Sequence, residues 1–247
     1  GILVDYIVTS GGLMHAQTFG TDFEEAFVVS ADATEGLEAL GFSERKIIGR
    51  RALAEIRQGD IVNLGIGLPE AVAAVAAETG RLREFTLTVE SGPIGGVPAS
   101  CENFGCSYFP EAVIDQPSQF DFYDGGGIDV AVLGAVEVDE EGSVNVSQFA
   151  GRFAGVGGFV NISQSARRVI FCCTFTAGGL DVKAGAGRLR IVREGKHAKF
   201  VKRVAQVCFH GPTALARGQQ VLYITERAVF ELTPAGLRLI EVADGIE

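Results

Sequence analysis

The order of elements after residue 60 constrains the fold more than any other feature of the sequence. A short apolar run over 61–64 is followed by a glycine turn, and Pro69 then opens a helical pattern that ends at Gly80. Residues 85–90 alternate apolar and polar side chains with a period of two. Two strands joined by a crossover helix pair in parallel. The sequence therefore predicts an α/β domain.

Other segments extend this prediction along the chain. A helix is expected over 44–58 with Ser43 as its N-cap. Further strands are expected at 1–8, 128–133, 168–175, 204–209 and 221–225, a hairpin over 189–203, and strands 228–232 and 237–242 around the turn 233–236. The fold class is an open, mostly parallel sheet with helices on both faces and small antiparallel additions. Ligands bind at the carboxyl ends of strands in such sheets, and Glu90 ends its predicted strand.

Charge and composition exclude several classes of protein. The formal net charge of -10, with scattered Lys and Arg, argues against a nucleic-acid surface. No apolar run approaches the ~18 residues that span a bilayer. Glycine is abundant, at 33 of 247 residues, which indicates close approaches of the backbone to a ligand. We therefore expect a soluble protein that holds its ligand locally and binds neither nucleic acid nor membrane.

The cysteines and histidines give little sign of a catalytic or metal site. No two of the five cysteines form a CxxC pair, which favours structural thiols in a reducing cytoplasm over a disulfide framework. The spacing of Cys101 and Cys106 does not suit zinc. The three histidines, His15, His197 and His210, stand beside no Ser or Cys nucleophile in the sequence, which weakens a triad without excluding one.

Glycine-rich turns are the strongest functional signal. They occupy residues 63–69, 90–96, 125–129 and 155–159. Each alone is explained by an ordinary tight turn, but a glycine turn between strand and helix also aims backbone N–H groups at an anion or oxyanion. The first turn lacks the third glycine of a dinucleotide fingerprint, so an NAD site is not expected. Together, and in this order, these segments, with residues 146–149 and 158–163, resemble the C-terminal, β-type half of class I coenzyme A transferases over residues 44–242.

The resemblance implies an activity and a set of site residues. Glu90-Ser91-Gly92 matches the strand-end motif in which the family's nucleophilic glutamate stands. Glu90 would carry the acyl group and then CoA, moving CoA between a short-chain acyl-CoA and a free carboxylate by ping-pong chemistry. No metal and no permanently bound cofactor are implied, because the coenzyme A thioester is a substrate. The implied oxyanion and substrate-binding residues are Asn63, Gly65, Ile66, Gly67, Gly157 and Gly158.

The resemblance also implies a domain organisation and a partner. Residues 1–42 would be the end of an N-terminal, α-type half plus a linker, and residues 43–247 the β-type catalytic domain. The family's active site lies between the two halves, so the α-type half of the same enzyme is the expected partner, and a homo-oligomer is expected. The chain would then be a piece of a roughly twofold longer protein.

Three other functions remain open at this point. An acyl-CoA hydrolase would use the same glutamate and let water resolve the intermediate, and a site closed to water favours transfer instead. A sugar-phosphate isomerase on a related sheet would need a base beside a phosphate loop, and none is apparent around residues 155–158. A non-catalytic fragment that senses CoA or serves as a scaffold would bind CoA without turnover.

Overall fold

The computed structural model describes residues 5–7, 9, 15–30, 39–149 and 151–246. The α-helices in these ranges are α1 (Glu44–Leu53), α2 (Ala71–Glu78), α3 (Gln116–Asp124), α4 (Phe159–Ser165) and α5 (Gly211–Ala216), and the 3-10 helices are Glu25–Phe27, Leu68–Glu70, Leu82–Glu84 and Cys101–Asn103. The strands are β1 (Ile61–Leu64), β2 (Thr86–Thr88), β3 (Pro93–Ile94), β4 (Val97–Pro98), β5 (Ser107–Tyr108), β6 (Ala112–Val113), β7 (Val130–Gly134), β8 (Glu137–Asp139), β9 (Val144–Asn145), β10 (Gln148–Phe149), β11 (Arg152–Phe153), β12 (Arg168–Cys172), β13 (Thr176–Ala177), β14 (Asp181–Gly185), β15 (Arg188–Arg193), β16 (His197–Ala198), β17 (Phe200–Val201), β18 (Gln220–Ile224), β19 (Ala228–Thr233) and β20 (Gly236–Val242).

The main sheet has nine strands in the order β20-β19-β18-β12-β7-β1-β2-β3-β6. The five central strands, from β18 to β2, are parallel. Two antiparallel strands extend each edge, and β19 and β20 form the predicted C-terminal hairpin. Carboxyl ends of the parallel strands β1, β2 and β7 therefore meet at one edge of the sheet, which is where the α/β prediction places a ligand.

The sheet is buried on both faces. Along β7, Val130 and Val132 point into one core while Ala131 and Leu133 point into the other. Helices α1 and α2 cover the first face, and α3, α4 and α5 cover the second. A near-continuous apolar strand such as β7 is the sequence pattern of a parallel sheet with both faces covered. The predicted fold class is confirmed.

Helix α1 begins where the sequence predicts but ends five residues early. The Ser43 hydroxyl accepts a hydrogen bond from the Lys46 N–H, as expected for an N-cap. The helix ends at Leu53 and does not continue to residue 58, because an arginine side chain donates hydrogen bonds to main-chain oxygens at and after this end. Arg81 donates to the Leu53 and Ile56 oxygens at 3.2 and 3.0 Å. The sequence pattern alone does not show these long-range contacts.

Two strand predictions are wrong. Residues 204–209 form no strand in a ladder. At the start of the segment, carboxylates take the N–H groups: Val204 N donates to Asp139 and Ala205 N to Glu137. Phe209 at its end makes only an isolated bridge with Val144 in the described residues. The predicted hairpin over 189–203 is replaced by two separate pairings, β14 with β15 and β13 with β16. The tight turn that joins β14 to β15 lies at residues 186–187, upstream of the predicted one.

Several other predicted strands differ from the observed ones at their ends. Residues 128–133 give β7 at Val130–Gly134, residues 168–175 give a strand that stops at Cys172, and residues 221–225 give β18 at Gln220–Ile224. Most of the strand predicted over 1–8 lies outside the described residues. Residues 31–38 of the predicted linker lie entirely outside them.

The five cysteines are free thiols, and Cys172, Cys173 and Cys208 are buried. Burial raises the pKa of Cys173 to about 11 and raises the pKa of Cys172 further still. These thiols therefore stay protonated and pack as small apolar groups. In the described part of the chain, no helix has the length and apolar character needed to cross a membrane.

Candidate active site

A cavity of about 580 Å³ opens at the carboxyl ends of β1, β2 and β7. It brings together residues that lie far apart in the sequence. Glu90 lines the cavity, and so do five of the six predicted oxyanion and substrate-binding residues. Gly67 lies next to the cavity but does not line it. Its lining includes Asn63, Gly65, Ile66, Glu90, Ala135, Gly157, Gly158 and Lys199.

Glu90 stands in a turn two residues beyond β2, and not at the end of the strand as predicted. The Gly92 N–H donates to the Val89 oxygen at 3.0 Å and closes the turn, which sends the chain back as β3. Gly92 has φ +129°, and a Cβ at this position would lie 1.9 Å from the Ile114 oxygen. Glycine is therefore required where the chain turns beside Glu90. The carboxylate is half-buried at the cavity wall.

Asn63 on β1 is the side chain that contacts Glu90. Its Nδ2 lies 3.4 Å from the Glu90 Oε2, and also 3.4 Å from the Thr88 oxygen and the Tyr123 hydroxyl. Within the described residues its Oδ1 is buried without a hydrogen-bond partner, and an unpaired buried acceptor costs about 1–3 kcal/mol. Asn63 thus presents its amide donor, not its acceptor, to the carboxylate.

Tyr123 lies behind Asn63 and is fully buried. Its hydroxyl donates to the Thr88 Oγ1 at 2.9 Å and accepts from the Gln119 Nε2 at 3.0 Å. Burial raises the pKa of Tyr123, and the nearby negative charge of Glu90 raises it further. The phenol therefore stays protonated at neutral pH.

Backbone N–H groups form another part of the wall. The Gly65 N–H donates to the Val132 oxygen at 2.8 Å and is therefore not available as the predicted oxyanion donor. In the described portion of the chain, the N–H groups of Ile66, Gly157 and Gly158 make no hydrogen bond to another backbone group. Gly157 has φ +54°, and Gly158 is the N-cap of α4. Of the predicted oxyanion and substrate-binding residues that line the cavity, these three therefore keep a backbone N–H free to donate.

No sequence motif points to Tyr123, Gln119, Thr88 or Lys199 as site residues. The Lys199 Nζ lies at the cavity and donates to the Ala135 oxygen at 2.7 Å. Helix α3, which carries Gln119 and Tyr123, does have a start signal in the sequence: Asp115 caps it, with Pro117 in the first turn. An i, i+4 pair of polar side chains on that helix was the available sign of a buried contact.

Comparison with known proteins identifies the family. The family model for Coenzyme A transferase matches residues 47–172. The chain belongs to the coenzyme A transferase family. Caffeate CoA-transferase of Acetobacterium woodii is 45% identical to it, with 100% of this chain and 48% of that protein covered. The beta subunit of acetate CoA-transferase from Escherichia coli K12 is 32% identical, with 81% and 86% covered.

Solved structures of the family show the same fold. The apoenzyme of the acyl-CoA transferase YdiF from Escherichia coli O157:H7 superposes with a TM-score of 0.79 at 45% identity, covering 85% of this chain and 40% of that one. Similarity to family beta subunits confirms the predicted resemblance to a β-type, C-terminal half. The chain spans about half the length of the first two curated relatives, which are covered to 48% and 46%.

Proposed function

We propose that this chain is the β-type catalytic half of an enzyme that transfers CoA between a short-chain acyl-CoA and a free carboxylate. The observation that carries the proposal is the cavity at the strand ends, where the Glu90 carboxylate, the Asn63 amide and the free N–H groups of Gly157 and Gly158 line one space. A carboxylate nucleophile beside hydrogen-bond donors is the arrangement that acyl transfer needs. Family membership supports the same reaction class.

The proposed reaction has two balanced stages. An oxygen of Glu90 attacks the thioester carbonyl carbon, the C–S bond breaks, and an acyl-glutamyl anhydride and a CoA thiolate result. The thiolate then attacks the Glu90 carbonyl carbon, and the carboxylate of the former acyl group leaves, which gives a glutamyl-CoA thioester. The incoming carboxylate reverses both steps. No histidine or other base is needed, because an ionised carboxylate attacks directly.

Each attack places negative charge on a carbonyl oxygen. When the substrate carbonyl is attacked, the N–H groups of Ile66, Gly157 and Gly158 are candidate donors. When the Glu90 carbonyl is attacked, the Asn63 Nδ2 already lies against one of its oxygens. Loss of one such donor typically costs about 3–4 kcal/mol of barrier. The two sets of donors therefore match the two stages of the proposed reaction.

The proposal includes a partner. Relatives named as beta subunits align with this chain over most of their length, and caffeate CoA-transferase of Acetobacterium woodii is about twice as long as the chain. We therefore expect an α-type half to complete the cavity, with residues 1–42 as the end of that half plus the linker and residues 43–247 as the β-type domain. A homo-oligomer and a cytoplasmic location remain predictions.

One experiment separates transfer from its two nearest rivals. Full-length protein that contains this chain is mixed with propionyl-CoA and no carboxylate acceptor, and free propionate and free CoA are followed in time. A transferase releases one equivalent of propionate per site and then stops, because CoA stays on Glu90. Release of CoA that continues over many turnovers would establish a hydrolase, and binding without release would establish a sensor. With acetate added, the transferase shows ping-pong kinetics.

A further inference from the structure

A group of buried polar side chains lies directly behind the proposed nucleophile, outside the cavity. It consists of Thr88 on β2 and Gln119 and Tyr123 on α3, all of them at most 2% exposed. None of the three lines the cavity, so none is in a position to touch a substrate there. Their side-chain link to the site runs through Asn63, which bonds to both Tyr123 and Glu90.

Hydrogen-bond directions in this group follow from one backbone carbonyl. The Val62 oxygen only accepts, so the Thr88 hydroxyl, at 3.1 Å, must donate its one hydrogen to it. Thr88 Oγ1 therefore accepts from the Tyr123 hydroxyl at 2.9 Å. The one hydrogen of Tyr123 is thereby used, and its oxygen faces its other neighbours only as an acceptor.

Two amides meet that acceptor. Gln119 Nε2 lies 3.0 Å from the Tyr123 oxygen and is also held by the Val89 oxygen at 3.2 Å. Asn63 Nδ2 lies 3.4 Å from the same phenol oxygen. The two ends of an asparagine amide have almost the same shape, so its orientation is decided by hydrogen bonds alone. Here the Tyr123 oxygen and the Thr88 main-chain oxygen, both acceptors 3.4 Å from Nδ2, require the NH₂ end of Asn63 to face Tyr123 and Glu90.

We propose that Tyr123, oriented by Thr88, is a positioning residue that holds the amide of Asn63 with its N–H groups toward Glu90 throughout the reaction. The inference rests on the proposed function. With the amide reversed, the Asn63 Oδ1 would face the Glu90 oxygen that gains negative charge in each attack on the Glu90 carbonyl, and two acceptors would repel each other. A preorganised donor aimed at developing charge is a main source of catalytic rate.

The test compares Tyr123→Phe, Thr88→Val and Thr88→Ser in the full-length protein. Misorienting one donor lowers kcat by roughly tenfold to a hundredfold in Tyr123→Phe and Thr88→Val. The KM for propionyl-CoA stays within about threefold of its original value, because uniform binding is unchanged. Thr88→Ser keeps the hydroxyl and restores most of the rate that Thr88→Val loses. The double variant Tyr123→Phe with Thr88→Val is no slower than the slower single variant, because both break one chain of bonds.

Tyr223→Phe is the matched control. Tyr223 is also fully buried and its hydroxyl donates to the Gly142 oxygen at 2.5 Å, but it belongs to the core on the α3 side and does not line the cavity. It should lower the unfolding temperature and leave kcat unchanged. An equal fall of kcat in Tyr223→Phe, or no rescue by Thr88→Ser, would reduce Tyr123 to a structural residue.

The same measurements separate this inference from the proposed function. Full kcat in Tyr123→Phe, in an enzyme that still releases propionate in the acceptor-free assay, would overturn the positioning role and leave the proposed function intact. Wild-type protein without propionate release would overturn both.

Discussion

Glu90→Ala is expected to lower kcat for CoA transfer by about 10⁴-fold or more, because the variant would lose the group that we propose forms both covalent intermediates. Folding should be nearly unchanged. The single hydrogen bond that the Glu90 side chain makes is with Asn63 Nδ2, within the described residues, and that nitrogen keeps the Thr88 oxygen and the Tyr123 hydroxyl as acceptors. The measurement is steady-state transfer from propionyl-CoA to acetate, together with thermal unfolding of the same preparation.

Glu111→Ala provides the control for loss of a nearby acid. Glu111 lies between β5 and β6, is exposed and does not line the cavity. Its replacement should leave kcat within about twofold, as expected of a surface substitution. Wild-type turnover in Glu90→Ala would exclude Glu90 as the nucleophile.

Gly92→Ala destabilises the protein by about 3 kcal/mol or more, because backbone strain and a collision act together. The residue adopts φ +129°, and its Cβ would lie 1.9 Å from the Ile114 oxygen and 3.0 Å from the Ile114 carbonyl carbon. Both atoms are backbone, so no side-chain movement relieves the clash. The turn that carries Glu90 must shift, and transfer activity falls together with stability. Urea denaturation measures the first effect and the transfer assay the second.

Gly80→Ala is the matched control for backbone strain without a collision. Gly80 has φ +69°, and a Cβ there would meet no atom within 4 Å. It should cost about 1 kcal/mol, the strain of a left-handed alanine alone, and leave kcat unchanged. Equal stability losses in Gly92→Ala and Gly80→Ala would contradict the account of the Glu90 turn.

The sequence predicts the parallel centre of the sheet and the C-terminal hairpin, because local patterns encode both. The period-two run before Glu90 and the apolar run of β7 need no knowledge of distant residues. The end of α1 and the segment 204–209 are different. Their backbone groups bond to Arg81 and to the carboxylates of Asp139 and Glu137, which approach only in the folded chain. The secondary-structure propensity of a segment carries no information about such distant hydrogen-bond partners.

The candidate site shows the same division. Glu90, Asn63 and the glycine pair at 157–158 were predicted from motifs, and the structure brings them to one cavity. The Gly65 N–H donates to the Val132 oxygen because of the register between β1 and β7. This register cannot be predicted from the sequence pattern. In the sequence, Tyr123 is indistinguishable from an ordinary aromatic residue of a helix. Its proposed role depends on hydrogen bonds of its hydroxyl to Thr88 on β2 and Asn63 on β1, which form only in the folded chain.

The central claim is that Glu90 becomes covalently linked to CoA. The most direct test is intact-protein mass spectrometry of the full-length protein after incubation with propionyl-CoA, followed by hydroxylamine or borohydride trapping and peptide mapping. The account predicts a CoA adduct on the intact chain and a trapped modification at Glu90, both absent from Glu90→Ala. No adduct with acetyl-CoA or propionyl-CoA, or an adduct on another residue, would contradict it.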